Sequence, residues 1–358
     1  MRYLFGFLVT VQLALSASWS DPYTLGRGQF ERGLYIQAIA NYEIALRSAE
    51  APRDRAIVLY CLGVAHLRIA QLGVAEQEYK QALDLFRKDG NSIELAVSLG
   101  GLGETYRAQY RLDEALAAER HALAILKALG KSESHEAGDL LSITGEILND
   151  QRRLKEAERS MREALAIQEK TLGAEHKDVA TSLNNLGAIE LERKHAAEAE
   201  ALFNRALAIR RARYGAEHPA VASTLLSLSA AYLAEKRYRE ADETCRRAWE
   251  TMGRFLPANH PELTKARIEL ALIAHESGDR GAAIGILEES VRSADAQPLV
   301  GTGEYAELLS LYARYLGEAG EKEKSKQFRV AAQELLKKSA RTQAASSTVT
   351  LTELEGRL

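Results

Sequence analysis

Several short stretches of this 358-residue chain carry residue types that could do chemistry. His135-Glu136 and His275-Glu276 begin as a zinc-hydrolase helix begins. Such a helix needs a second histidine one turn on to complete its metal face, and Asp139 and Asp279 stand there instead. Gly100-Gly101-Leu102-Gly103 is glycine-rich, as dinucleotide-binding loops are, but it lies inside a helical pattern with no strand before it. Close helix packing is the expectation for it. Gly130-Lys131-Ser132 has the end of a phosphate-binding loop, yet Ile125 occupies the place of that loop's first glycine. Glu104 and Glu146 are carboxylates that could do acid–base work. As equivalent positions of adjacent repeats they are expected to be too far apart for a glycosidase pair, which needs about 5–9.5 Å. His176, His218 and His260 recur in matching surroundings. One ion cannot reach three positions each a repeat apart, because metal–nitrogen bonds are about 2 Å long. These imidazoles are expected to bond the backbone and cap the helix that follows. No catalytic residue, cofactor or metal site is assigned, and an enzyme is not expected.

Cys61 and Cys245 are too few for a disulfide framework or a cysteine zinc site, and both sit in apolar helical patterns. Buried free thiols are expected. A net charge of −3 gives no reason to expect nucleic acid as a partner. With 58 alanines and 51 leucines but only 6% aromatic residues, the composition favours closely packed helices over sheet. Residues 1–18 have the pattern of a signal peptide: Arg2, an apolar run Leu4–Leu15, then small Ser16-Ala17-Ser18. The run is shorter than the roughly 20 residues that span a bilayer, so no stable membrane span is expected after cleavage. Export to a periplasm or extracellular space follows if the segment is removed; otherwise the chain stays cytoplasmic or membrane-associated.

The elements that must position all these residues are set by an internal repeat. A small residue recurs at Gly63, Gly103, Gly145, Gly187, Ser229, Ala271 and Ala313, with one step of 40 and then five of 42. Twelve positions after each comes Ala75, Ala115, Ala157, Ala199, Ala241, Ala283 or Ser325, and seven further on Ala82, Ala122, Ala164, Ala206, Ala248, Ser290 or Ala332. A degenerate unit with Gly26, Ala38, Tyr42 and Ala45 opens the array. Each unit contains two amphipathic segments, for example about 179–193 and 196–213, joined by a short polar link, which predicts an antiparallel helical hairpin. Small residues let the helices approach closely, while Leu183, Leu186 and Phe203 fill the space between. A single hairpin cannot bury both its faces, so the units must stack. All six prolines fall at predicted helix ends or links.

The pattern Leu62-Gly63…Ala75…Tyr79…Ala82 and Leu102-Gly103…Tyr106…Ala115…Ala122 resembles the tetratricopeptide repeat. The 42-residue period and the links Leu172-Gly-Ala-Glu-His and Tyr214-Gly-Ala-Glu-His-Pro resemble the kinesin light-chain subclass. Leucine replaces the expected tryptophan at Leu59, Leu99, Leu141, Leu183 and Leu225, and a signal peptide does not suit a motor subunit. The resemblance implies an all-α fold, a right-handed superhelical solenoid of about eight hairpins over residues 22–336. A polar tail at 337–358 is expected to be disordered, and its Thr348–Thr352 alternation could pair with a partner's sheet edge. In that family the first helix of each hairpin lines a concave groove for protein or peptide ligands. Carried over by position, the groove residues are Glu104, Arg107, Glu146, Asn149, Asn184, Asn185, Ser227, Lys265, Glu269 and Arg314. Mixed charge among them does not make a carboxylate clamp. The expected function is a non-enzymatic scaffold or adaptor for an unidentified protein or peptide. The alternatives are a peptide-sensing module or assembly factor of a bacterial envelope machine and, remotely, a hydrolase using groove carboxylates. Oligomeric state is left open.

Overall fold

The computed structural model describes residues 19–256, 260–296 and 302–346. Among these residues the regular elements are sixteen α-helices and one short 3₁₀ turn, Arg87–Asp89. The chain forms two compact units. The first holds α1 (Ser20–Glu31), α2 (Tyr35–Ser48), α3 (Pro52–Arg68), α4 (Leu72–Phe86), α5 (Ile93–Ala108), α6 (Leu112–Ala128), α7 (His135–Asp150) and α8 (Leu154–Leu172). The second begins at Glu175 and holds α9 (Lys177–Glu192), α10 (Ala196–Tyr214), α11 (Pro219–Ala234), α12 (Tyr238–Gly253), α13 (Pro261–Glu276), α14 (Arg280–Ala296), α15 (Thr302–Glu318) and α16 (Lys322–Ser346). Within each unit odd- and even-numbered neighbours pair as hairpins, and each hairpin packs on the next. The predicted all-helical hairpin stack is the observed architecture.

The repeat's small residues work as sockets. Sixteen positions after Gly63, Gly103, Gly145 and Gly187 stands a side chain of the second helix that packs against the missing Cβ. A Cβ built on Gly63 would lie 3.0 Å from the Tyr79 ring, on Gly145 3.0 Å from Met161, and on Gly187 2.6 Å from Phe203. Those distances are too short for an ordinary contact, so the helices of a hairpin approach this closely only because the side chain is missing. Ala75, Ala115, Ala157, Ala199, Ala241 and Ala283 are fully buried at the second close-contact position. Leu183, Leu186 and Phe203 have no exposed surface.

Both ends of the helices are closed in a repeating way. The three link histidines sit at the N-caps of α9, α11 and α13, where His176 Nδ1 accepts from Asp178 N (3.3 Å), His218 Nδ1 from Ala220 N (3.1 Å) and His260 Nδ1 from Glu262 N (3.2 Å). The capping role expected of them holds. Ser92 and Ser134 do the same work at α5 and α7 with their hydroxyls. Inside each hairpin the turn carries one residue in the left-handed region: Gly33, then Ala70, Tyr110, Arg152, Lys194 and Lys236, then Gly278 and Gly320. At Lys236 its own N–H bonds Leu233 O (2.9 Å) and the next N–H, of Arg237, bonds Tyr232 O (2.9 Å). This Schellman pattern satisfies the last carbonyls of the first helix and reverses the chain in few residues.

Pro52, Pro219 and Pro261 each start a helix, where a missing N–H costs nothing. Cys61 and Cys245 are buried and unpaired, as expected. α16 runs to Ser346, past the boundary at Lys337 where the polar tail was expected to begin, because Ala, Lys, Arg and Gln in that stretch favour helix over coil. The proposed signal peptide (1–18) and the Thr348–Thr352 alternation lie outside the described residues.

Candidate functional site

In the first unit the expected groove residues Glu104 and Arg107 lie near the end of α5, and Glu146 and Asn149 near the end of α7. The structure brings Arg107 and Glu146 together: Nη1 of the guanidinium stands 2.6 Å from Glu146 Oε2, while Nε donates to Asp150 Oδ2 at 2.7 Å. Burial works against the Arg107 charge, but Glu146 and Asp150 more than offset it and hold the guanidinium above its usual range. The pair therefore clamps one hairpin to the next. Glu104 is only 4% exposed, more a floor of this face than a free surface group.

Beneath it lies Glu119, which sequence reasoning missed. Its side chain rises from α6 and is fully buried, and neither carboxyl oxygen has a hydrogen-bond partner. Oε1 stands over the socket of its own hairpin, 2.4 Å from where a Cβ on Gly103 would be. Burial pushes the carboxyl well above its usual range; Glu104 and Glu146 add to this, with Arg107 working the other way. A signal for it exists in the register. The position sixteen residues after the small one reads Tyr42, Tyr79, Glu119, Met161, Phe203, Cys245, Leu287 and, exposed in the last repeat, Arg329, so Glu119 is the one buried charged-type side chain in the column.

In the second unit Asn184 and Asn185 are half-buried on α9, and Asn184 Oδ1 is buried without a hydrogen-bond partner. Ser227 bonds back to Ser223 O within α11. Lys265, on α13, lies 3.2 Å from Glu262 and 3.7 Å from Glu304. Burial disfavours its charge, but these carboxylates hold its pKa above the usual value. Glu269 is half-buried one turn on, and burial pushes its carboxyl up to about 7 against a hydrogen bond with Ser229. Arg314 is exposed on α15 beside its neighbour Tyr315. The ten predicted residues thus fall into ion-paired, buried and open groups.

The turn ends of the hairpins hold a second set of charged contacts. Arg111 lies over the Tyr106 ring at 4.1 Å and Arg237 over Tyr232 at 4.2 Å. At the matching place in the α9–α10 hairpin, Glu190 is fully buried and bonds His195 Nδ1 at 2.8 Å and Arg193 Nη1 at 3.0 Å. Glu190, His195 and Glu198 are close enough together to hold a metal ion. With both Glu190 oxygens already facing the Arg193 guanidinium, the carboxylate's charge is spent within the turn. The rejected motifs resolve similarly. His135 faces Asp139 at 3.3 Å, and His275 stacks on Tyr315 with ring centroids 4.0 Å apart. Gly101, inside α5, is pressed against the Tyr79 ring of the preceding hairpin.

The model of the family described as "Tetratricopeptide repeat" matches residues 54–128, 139–212 and 178–252, more than half of the chain. A curated relative, the photosystem I assembly protein Ycf3 of Rippkaea orientalis, is 33% identical over 84 residues, which is 23% of this chain and 49% of that protein. The chain thus spans about half the length of the curated relative it matches. Among solved structures, a Rap protein complexed with Competence and Sporulation Factor overlays 94% of this chain and 91% of its own at 17% identity, with a TM-score of 0.69. A Podosopora anserina kinesin light chain with nearly identical TPR-like repeats overlays 56% of this chain and 96% of its own at 24% identity, with a TM-score of 0.48.

Proposed function

Because the chain belongs to the tetratricopeptide repeat family, with 42-residue repeats like those of kinesin light chains, we propose that it is a scaffold that holds a protein or peptide partner against the first helices of its hairpins. The observation that supports this most is the run of repeat hairpins from α1 to α16, which occupies the described chain and carries polar side chains on the first helices α5, α7, α9, α11, α13 and α15. Asn184, with an unused buried acceptor, suits a passing peptide backbone, since an amide offers both donor and acceptor. The proposed action is binding rather than catalysis, and association with a motor forms no part of it. The test is affinity capture with the full chain, followed by mass spectrometry, beside a variant carrying Asn184→Ala and Asn185→Ala. Reproducible partners that the variant loses support the reading. No specific partner, or partners unaffected by the change, refutes it.

We also propose export, on the pattern of Arg2, Leu4–Leu15 and Ser16-Ala17-Ser18. No helix among the described residues is long and apolar enough to cross a membrane. Sequencing the N-terminus of the native protein decides the matter; a chain that begins at Met1 refutes export. A second reading, a ligand-sensing module or assembly factor, draws support from the Rap structure with its bound factor and from the assembly role in the curated relative's name. It differs from the first in the partner, and the same capture experiment separates the two.

A further inference from the structure

The first unit carries more acid than it can neutralise at one place. Glu104 and Arg107 reach it from α5, Glu119 from α6, and Glu146 and Asp150 from α7. Arg107 is the one cation among these five groups, and it is already bonded to Glu146 and Asp150. Glu119, with no exposed surface and no hydrogen bond, points its carboxyl at this spot from inside the hairpin. The array puts an apolar side chain at the same position in the neighbouring repeats, so the fold does not require a carboxyl here. Tyr79 borders the place with an unpartnered hydroxyl, its ring edge-to-face with Tyr60 at 5.9 Å, and both rings feel the Glu104 charge. Buried carboxyls beside aromatic rings make a setting for a cation.

We propose that the Glu104–Glu119–Glu146 cluster is a docking site for one cationic side chain, arginine or lysine, of a peptide partner. The inference rests on the scaffold reading above and names the chemistry of its partner. Glu146 meets the incoming cation first, since it keeps 15% of its side chain exposed whereas Glu104 is only 4% exposed. Arg107 shows the geometry in which Glu146 takes a guanidinium, and it can remain on Asp150 while Glu146 turns to the ligand. Burial without a hydrogen-bond partner favours the protonated form of Glu119 while the site is empty. When the cation docks, the Glu119 O–H bond breaks, the proton goes to solvent, and the carboxylate pairs with the ligand charge. Binding therefore releases a proton.

The test uses the full chain on an array of capped 12-residue peptides, each arginine or lysine peptide printed beside a twin with norleucine in that place. Glu119→Met is the main variant, because Met161 already fills the equivalent socket over Gly145. Glu104→Gln is the second, and exposed Glu163→Gln is the control. The expected result is at least a tenfold preference for the cationic twin, reduced several-fold in both variants and unchanged in the control. Calorimetry of the best peptide in two buffers of different ionisation enthalpy should show proton release at pH 7, absent in Glu119→Met. Binding without a cation preference, or a preference that survives both variants, overturns the acidic site and leaves the scaffold reading standing. A wild-type chain that binds no peptide on the array overturns both.

Discussion

Replacing Glu119 by methionine should make the protein more stable. In the folded chain two carboxyl oxygens are buried with no partner, and leaving a buried polar group unpaired costs about 1–3 kcal/mol. Methionine has similar volume, and the hairpin of Gly145 and Met161 shows that a glycine socket accepts it at 3.0 Å. The expected gain is therefore about 1–3 kcal/mol, and a Tm higher by roughly 2–4 °C for each of them. The gain should also depend on pH. Glu119 has a folded pKa raised above its unfolded value near 4.5. Below that pH the carboxyl is protonated in both states and ionisation adds nothing. Above it the unfolded chain gives up a proton that the folded chain keeps, so wild-type stability falls as pH rises. The variant has no such group, and its advantage must widen between about pH 4.5 and pH 7.5. Urea unfolding of both proteins, followed by circular dichroism at pH 4.5, 6 and 7.5, measures it. A variant less stable than wild type, or an advantage that does not change with pH, refutes the reasoning.

Three further outcomes are expected. Glu269→Gln should flatten a loss of stability that wild type suffers as pH rises from 4.5 to about 7, a loss of roughly 3 kcal/mol at most; denaturant midpoints across that window check it. Lys236→Gly should raise stability by about 0.5–1 kcal/mol, since the left-handed backbone at φ 62° disfavours a side chain by roughly 1–2 kcal/mol and glycine returns part of that as chain entropy; guanidinium melts would show a shift the other way if the turn were not strained. His218→Ala should cost about 1 kcal/mol by removing the cap of α11, whereas His218→Ser should keep most of it, as Ser92 and Ser134 do at α5 and α7; equal losses in both variants would deny the capping role.

What could be read from the sequence was whatever recurs. The sockets, the alanines and the histidine caps repeat in residue type as well as in position, so the period exposed them. The left-handed turn residues were hidden because their position repeats while their type does not: Ala70, Tyr110, Arg152, Lys194 and Lys236 share only a backbone geometry imposed by the hydrogen bonds around them. Arg107 and Glu146 were each expected at the groove from the resemblance, but their bond depends on how adjacent hairpins stack, which the period alone does not specify. Glu119 was missed for the opposite reason. Comparison of the socket-filling column shows a carboxyl there among apolar neighbours, Tyr79 and Met161, while the residues that fit the repeat do not point to it.

The socket geometry also bears on how such an array can change in length. Phe203 locks into Gly187 of its own hairpin, and the stretch from His176 to Glu217 brings its own cap, lock and turn. A second copy of that stretch, spliced in frame before His218, would arrive with its internal fit intact. The Tyr79 ring is different, because it is held both by Gly63 of its own hairpin and by Gly101 of the next. An insertion between these two hairpins would put a side chain where Gly101 must be. Growth and loss of repeats are thus tolerated at some joints and forbidden at this one.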